Sequence, residues 1–232
     1  LSNALTEIIL EKDAALNFCG VQDQAERTFH VGGLFARLAE SAKLKATTVT
    51  VGKAWVRNDA RVNLDAEQAY ASLDGAYLVF GRSHVDNHTH ISHNAPECTS
   101  RECYKGVLGD RGHAVFHGRI VVQPGAQKTD SAQSNQNLLL SADAEIDTKP
   151  QLEIYADDVK CNHGATAGHI DADTLFYLRS RGLDLDAASR MLVHAFASEI
   201  IDKVQPEPLR DYLDDLFSAA IPDKSLPVAG GK

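Results

Sequence analysis

Cys161 stands two residues before His163 in the segment PQLEIYADDVKCNHGATAGHIDADTLFYLRSRG, which runs from Pro150 to Gly182. A thiolate and an imidazole are both good ligands for transition metals. On an extended chain, residues two apart share a face at a spacing of roughly 6.5–7 Å. The pair can then offer sulfur and nitrogen to one metal or to one partner surface. The plainer reading is a packing cysteine beside an unrelated histidine. A denser group of imidazoles lies upstream in GRSHVDNHTHISH, with His84, His88 and His90 on one strand parity and His93 close by. Such a face suits zinc or iron. A closed zinc site, however, draws its three or four ligands from separate elements, so the polar-surface reading is preferred here. Cys98 and Cys103, in PECTSRECYKG, lack zinc-knuckle spacing and a second pair, and Asp157–Asp158 reads as a turn.

The elements that must position these residues are mostly strands. TTVTV (47–51), RVNL (61–64), AYLVF (76–80), THIS (89–92), HAVFHGRIVV (113–122), NLLL (137–140) and QLEIY (151–155) are β-rich runs separated by Gly, Asp and Asn. No helical period interrupts them. Closely spaced strands without helices fit either a sandwich or a β-solenoid, and no strict short repeat separates the two. After Ile170 the pattern changes. Asp171 or Asp173 caps a short helix that Gly182 ends. Asp184 or Asp186 opens a longer one with apolar Ala188, Met191, Leu192, Ala195, Phe196, Ile200 and Val204. Pro208 suits the first turn of a third, striped by Leu209, Tyr212, Leu213, Leu216, Phe217 and Ala220. These stripes must cover the β body or dock a partner. The expected layout is a β domain over 1–170, a helical domain over 171–221 and a frayed tail over 222–232.

With 232 residues, 44% of them hydrophobic, the chain can bury a sizeable core. A net charge of −9 and the absence of basic runs argue against a nucleic-acid surface. No apolar run approaches the roughly 18–20 residues of a membrane span. Four dispersed cysteines and no secretory signal fit a reducing compartment. The chain opens Leu-Ser-Asn and holds a single methionine, Met191, so the natural protein is expected to be longer. Hydrolase, Walker and dinucleotide motifs are absent. Numerous carboxylates leave a β-helix polysaccharide lyase or glycosidase as the alternative, though 6% aromatic residues is sparse for sugar platforms.

The block AQKTDSAQSNQNLLLSADAEIDTKPQLEIYADDVKCNHGATAGHIDADTLFYLRSRGL strongly resembles the core of the SufB/SufD family of iron–sulfur cluster assembly proteins, and ISHNAPECTSRECYKGVLGDRGHAVFHGRIVV resembles it too. The match is firm from about His88 to Val204. HGAT at 163–166 is closer to the SufD branch, since SufB-like sequences tend to carry glutamate in place of Gly164. The resemblance implies a right-handed parallel β-helix followed by a C-terminal α-helical domain. It implies a non-catalytic scaffold subunit in a cytoplasmic complex, or a stromal one in a plastid. There a SufB-like paralogue would pair through the β-helix, and a SufC-like ATPase would dock on the C-terminal helices. The helical stripe Leu209, Tyr212, Leu213, Leu216 and Phe217 is then the expected ATPase contact. In isolation a homodimer is permitted. His163 falls where the family places an interface histidine that helps hold the nascent cluster, and Cys161 where the paralogue places its essential cysteine. Two ligands are about half of what a cluster takes, so the cluster would be transient and shared with the SufB-like partner, with none held tightly by this chain alone.

Overall fold

A computed structural model describes residues 1–222 apart from Glu26 and Lys53; the expected tail beyond Pro222 lies outside the described residues. Twelve strands come first: β1 (Ser2–Leu10), β2 (Ala15–Asp23), β3 (Phe29–Leu38), β4 (Lys43–Gly52), β5 (Trp55–Leu64) and β6 (Tyr70–Val79), then β7 (His84–His93), β8 (Thr99–Leu108), β9 (His113–Val122), β10 (Asp130–Leu139), β11 (Glu145–Ile154) and β12 (Lys160–Gly168). Three helices follow: α1 (Ala172–Ser180), α2 (Leu185–Ile201) and α3 (Glu207–Ala220).

Odd-numbered strands form one parallel sheet in the order β1-β3-β5-β7-β9-β11, and even-numbered strands form the other, β12-β10-β8-β6-β4-β2. Each strand therefore pairs with the next strand but one, which makes the chain a flattened solenoid of two strands per coil. The sandwich alternative is excluded. A coil takes from 26 residues, Phe29 to Trp55, to 32, His113 to Glu145. That variation in turn length is why no strict repeat is visible in the sequence.

The pleat sends alternate residues into the space between the sheets. Leu38, Leu44, Leu64, Ile91, Phe116 and Ile120 are fully buried there. The outer face of the even sheet carries a second core, where Val49, Ala76, Leu78 and Val107 meet Ala188, Val193, Ala197, Ile200, Leu213 and Phe217 of the helices. Helix α2 lies over β8 and β6, and α3 reaches β4. Asp171 and Asp184 cap α1 and α2, accepting from the backbone N–H of Thr174 and Ala187. Two ion pairs, each with its solenoid partner buried and its helical partner exposed, fasten α2 and the turn after it: Lys203 to Asp74 at 2.7 Å, and Glu199 to Lys105. Met191, placed on the apolar stripe of α2 from spacing, is instead half exposed, because the helix turns that side to solvent.

Gly106 shows how tightly the inner space is filled. A Cβ there would overlap the buried Tyr77 ring and Asn137 Oδ1, and both belong to one hydrogen-bonded group. Gly106→Ala is expected to destabilise the fold by about 1–3 kcal/mol through overpacking. A lower urea midpoint at unchanged slope checks this.

Candidate functional site

Cys161 and His163 lie on β12, which forms one edge of the even sheet. Their lateral neighbours on β10 are Ser131 and Gln133, both inward-facing and buried, so the pair points into the mouth between the sheets at the open end of the solenoid. The shared face expected from the two-residue spacing is therefore present. Cys161 is half-buried against the inner core, and this burial pushes its thiol pKa up. His163 is exposed. Beside β12, β11 is the edge of the other sheet. Both edge strands leave ladder N–H and C=O groups unpaired.

Two buried polar rows run through the core and end on this pair. In the first, His93 Nε2 lies 2.9 Å from Ser100 Oγ, and Ser100 Oγ 2.8 Å from Ser131 Oγ; Cys161 follows in register. His93 is fully buried, and its pKa is pushed down to about 4 by that burial. In the second row Gln133 Nε2 donates to Glu102 Oε2 at 2.6 Å, and His163 follows in register. Glu102 is 3% exposed, and burial outweighs its bond from Gln133, pushing its carboxyl up to about 7. Sequence reasoning missed Glu102, Gln133, Ser100 and Ser131. Their polar runs, DSAQSNQN on β10 and TSRE on β8, show no apolar face, and only the register reveals which members point inward.

The other sequence candidates lie elsewhere. His84, His88 and His90 sit on the outer face of the odd sheet, whereas His93 points inward. His84 meets His113 edge-on, His88 meets His117 in the same way, and Trp55 stacks on His84. Arg57 and His88 share Asp86. This is a hydrogen-bonded lateral ladder and not a metal cage: among the described residues no group of three or more His, Cys, Asp or Glu side chains is arranged to hold a metal ion. The groove over this face has a volume of about 670 Å³ and is lined by Arg57, Arg61, Arg119, His90 and His117, with Phe35. Glu7 and Asp59 also line it, with Asp59 paired to Arg57, and Phe35 supplies its one aromatic ring apart from the imidazoles. Cys98 is buried, Cys103 lies under the helices, and all four cysteines are free thiols.

The expected docking stripe on α3 divides in two. Leu213 and Phe217 are fully buried against the solenoid, and Leu209 and Leu216 pack beside them, while Tyr212 is 52% exposed. Leu213 and Phe217 thus fill the intramolecular core. Phe176, Tyr177 and Met191 present the other large apolar surfaces of the helices.

Comparison with known families settles the class. The SUF system FeS cluster assembly, SufBD core domain, matches residues 1–196. The chain belongs to the SufBD family. It is 42% identical over 173 residues to the iron–sulfur cluster assembly protein SufD of Escherichia coli, covering 75% of this chain and 41% of that protein. It is 34% identical over 217 residues to a SufBD family protein of Synechocystis, covering 94% of this chain and 48% of that one. Protein ABCI7, chloroplastic, of Arabidopsis thaliana is 31% identical over 211 residues, covering 90% of this chain and 44% of that protein. The chain thus spans about half the length of these relatives. The SufBD core of this chain is a β-solenoid body, and no helix among the described residues is long and apolar enough to cross a membrane.

Proposed function

We propose that this chain is a non-catalytic scaffold half of a SufBCD-type assembly, on which a nascent iron–sulfur cluster is built and then passed to apo-proteins. One observation carries the reading: Cys161 and His163 share the inward face of an edge strand at the open end of the solenoid, and among the described residues no group of three or more His, Cys, Asp or Glu side chains is arranged to hold a metal ion. Cluster irons take thiolate and, less often, imidazole, and a cluster needs about four protein ligands. Half a ligand set on an unpaired edge fits a site completed by another chain. A SufB-like paralogue, itself a solenoid, can add its strands to β11 and β12, since unpaired edges template such pairing. In isolation a second copy can occupy the same edge, giving a homodimer. The SufC-like ATPase docks on the helices through exposed Tyr212, Phe176 and Tyr177. ATP hydrolysis belongs to that subunit, and this chain alone turns nothing over. The cluster is cargo.

The test is His163→Ala in the chain co-purified with its paralogue and ATPase. Bound iron and acid-labile sulfide should fall several-fold while the subunits still co-elute. Undiminished iron and sulfide would remove His163 from the site. Cys161→Ser, measured in the same way, decides whether the thiol is a ligand or a packing residue.

A further inference from the structure

Four polar side chains on β10 face inward: Ser131, Gln133, Asn135 and Asn137. Three of them have their polar atoms paired. Ser131 bonds Ser100; Asn135 bonds Tyr77 and the Tyr104 carbonyl; and Asn137 bonds Asn135 and accepts from Tyr77. Gln133 differs. Its Nε2 is committed to Glu102, which fixes the amide's orientation, and its Oε1 is a buried acceptor without a hydrogen-bond partner, on a side chain 2% exposed. Gly118 on the facing sheet makes this placement possible, because a Cβ there would collide with Gln133 Nε2. An unpaired buried carbonyl is costly and calls for a partner. The lateral neighbour of Gln133 on β12 is His163. Neighbours in this row reach one another, as Glu102 and Gln133 already do.

We propose that Gln133, held by Glu102, is the positioning residue of His163: its Oε1 accepts the N–H of one ring nitrogen and leaves the other nitrogen's lone pair directed into the open mouth. Histidines that bind metals commonly donate their second ring N–H to a carbonyl or carboxylate, which fixes both tautomer and ring plane. Here the acceptor is an amide whose own donor is locked from behind. Along the Glu102–Gln133–His163 row each donor points toward the core, His163 to Gln133 and Gln133 to Glu102. The inference deepens the reading of His163 as a cluster ligand and rests on it for its purpose, but the hydrogen bond stands or falls by itself.

The experiment is nitrogen-15 NMR of ring-labelled histidine in the whole chain, in alkaline buffer where imidazoles are neutral, with His163 assigned by its loss in His163→Ala. A single tautomer is expected for His163 in the unsubstituted protein. In Gln133→Met, which keeps the length and removes the acceptor, the signal should shift to the averaged values of a free imidazole. Averaged values in the unsubstituted protein would overturn the proposal without recourse to any variant. An unchanged tautomer in a folded Gln133→Met would overturn it too. Iron and sulfide loading of His163→Ala separates the two ideas: a fixed tautomer with undiminished loading leaves the hydrogen bond and removes the ligand role.

Discussion

Glu102→Gln is expected to stabilise the protein by about 3 kcal/mol at pH 8 and by little at pH 4.5, reversing the usual penalty for a buried substitution. The cause is burial without a cation. Glu102 is 3% exposed, the side-chain donors beside it, the Thr89 hydroxyl and the Gln133 amide, are both neutral, and Asp74 nearby adds a repulsive charge. These push the folded carboxyl up to about 7 from an ordinary 4.5. The folded state therefore binds this proton more tightly than the unfolded one. Between pH 4.5 and 7 the folded chain holds more protons, so stability falls as pH rises through that window and the whole penalty is present above it. Glutamine carries no charge to desolvate and keeps an oxygen for Gln133 Nε2. Other carboxylates titrate in the opposite sense. Asp130 beside Arg101 and Glu153 beside Arg119 have depressed values, but both are near the surface and present in both proteins. Subtracting variant from parent cancels them. Urea melts of both at pH 4.5, 6 and 8 check the prediction, and a flat difference across that range would refute it.

That carboxyl also marks the limit of what the sequence reveals. Cys161 and His163 are legible because a two-residue spacing survives into any strand, whichever sheet that strand joins. The helix ends at Asp171, Asp184 and Pro208 are legible because caps and first-turn prolines act locally. Glu102 and Gln133 are not, since their inward direction depends on pairing between residues 31 apart, and the polar residues around them mask the pleat. The solenoid itself is hidden for a related reason. Its coils differ in length, so the repeat is kept by hydrogen-bonded register and not by residue count. The family resemblance closes that gap, because it rests on many positions together and not on period.

The helical cap provides the second large effect. Phe217→Ala should destabilise the cap by about 3–5 kcal/mol, the range for removing a fully buried phenylalanine ring. Phe217 and Leu213 are both at 0% exposure, wedged with Val193 and Ala197 into the second core on the even sheet. Their stripe was expected to meet a partner, yet its apolar area is already spent. An amphipathic helix takes the nearest apolar face, and the outer face of β4, β6 and β8 supplies one. Tyr212 lies on the other side of α3, at 52% exposure. Tyr212→Asp should therefore leave the melting curve within experimental error and weaken capture of the ATPase subunit, whereas Phe217→Ala should shift the melt first and lose the partner only through the loosened cap. Pull-down and thermal denaturation, run on both variants, separate the two sides of one helix. Should Tyr212→Asp retain full ATPase binding, Tyr212 is outside the contact, and Phe176→Asp on α1, where Phe176 is 73% exposed, is the next variant that tests docking on the helices.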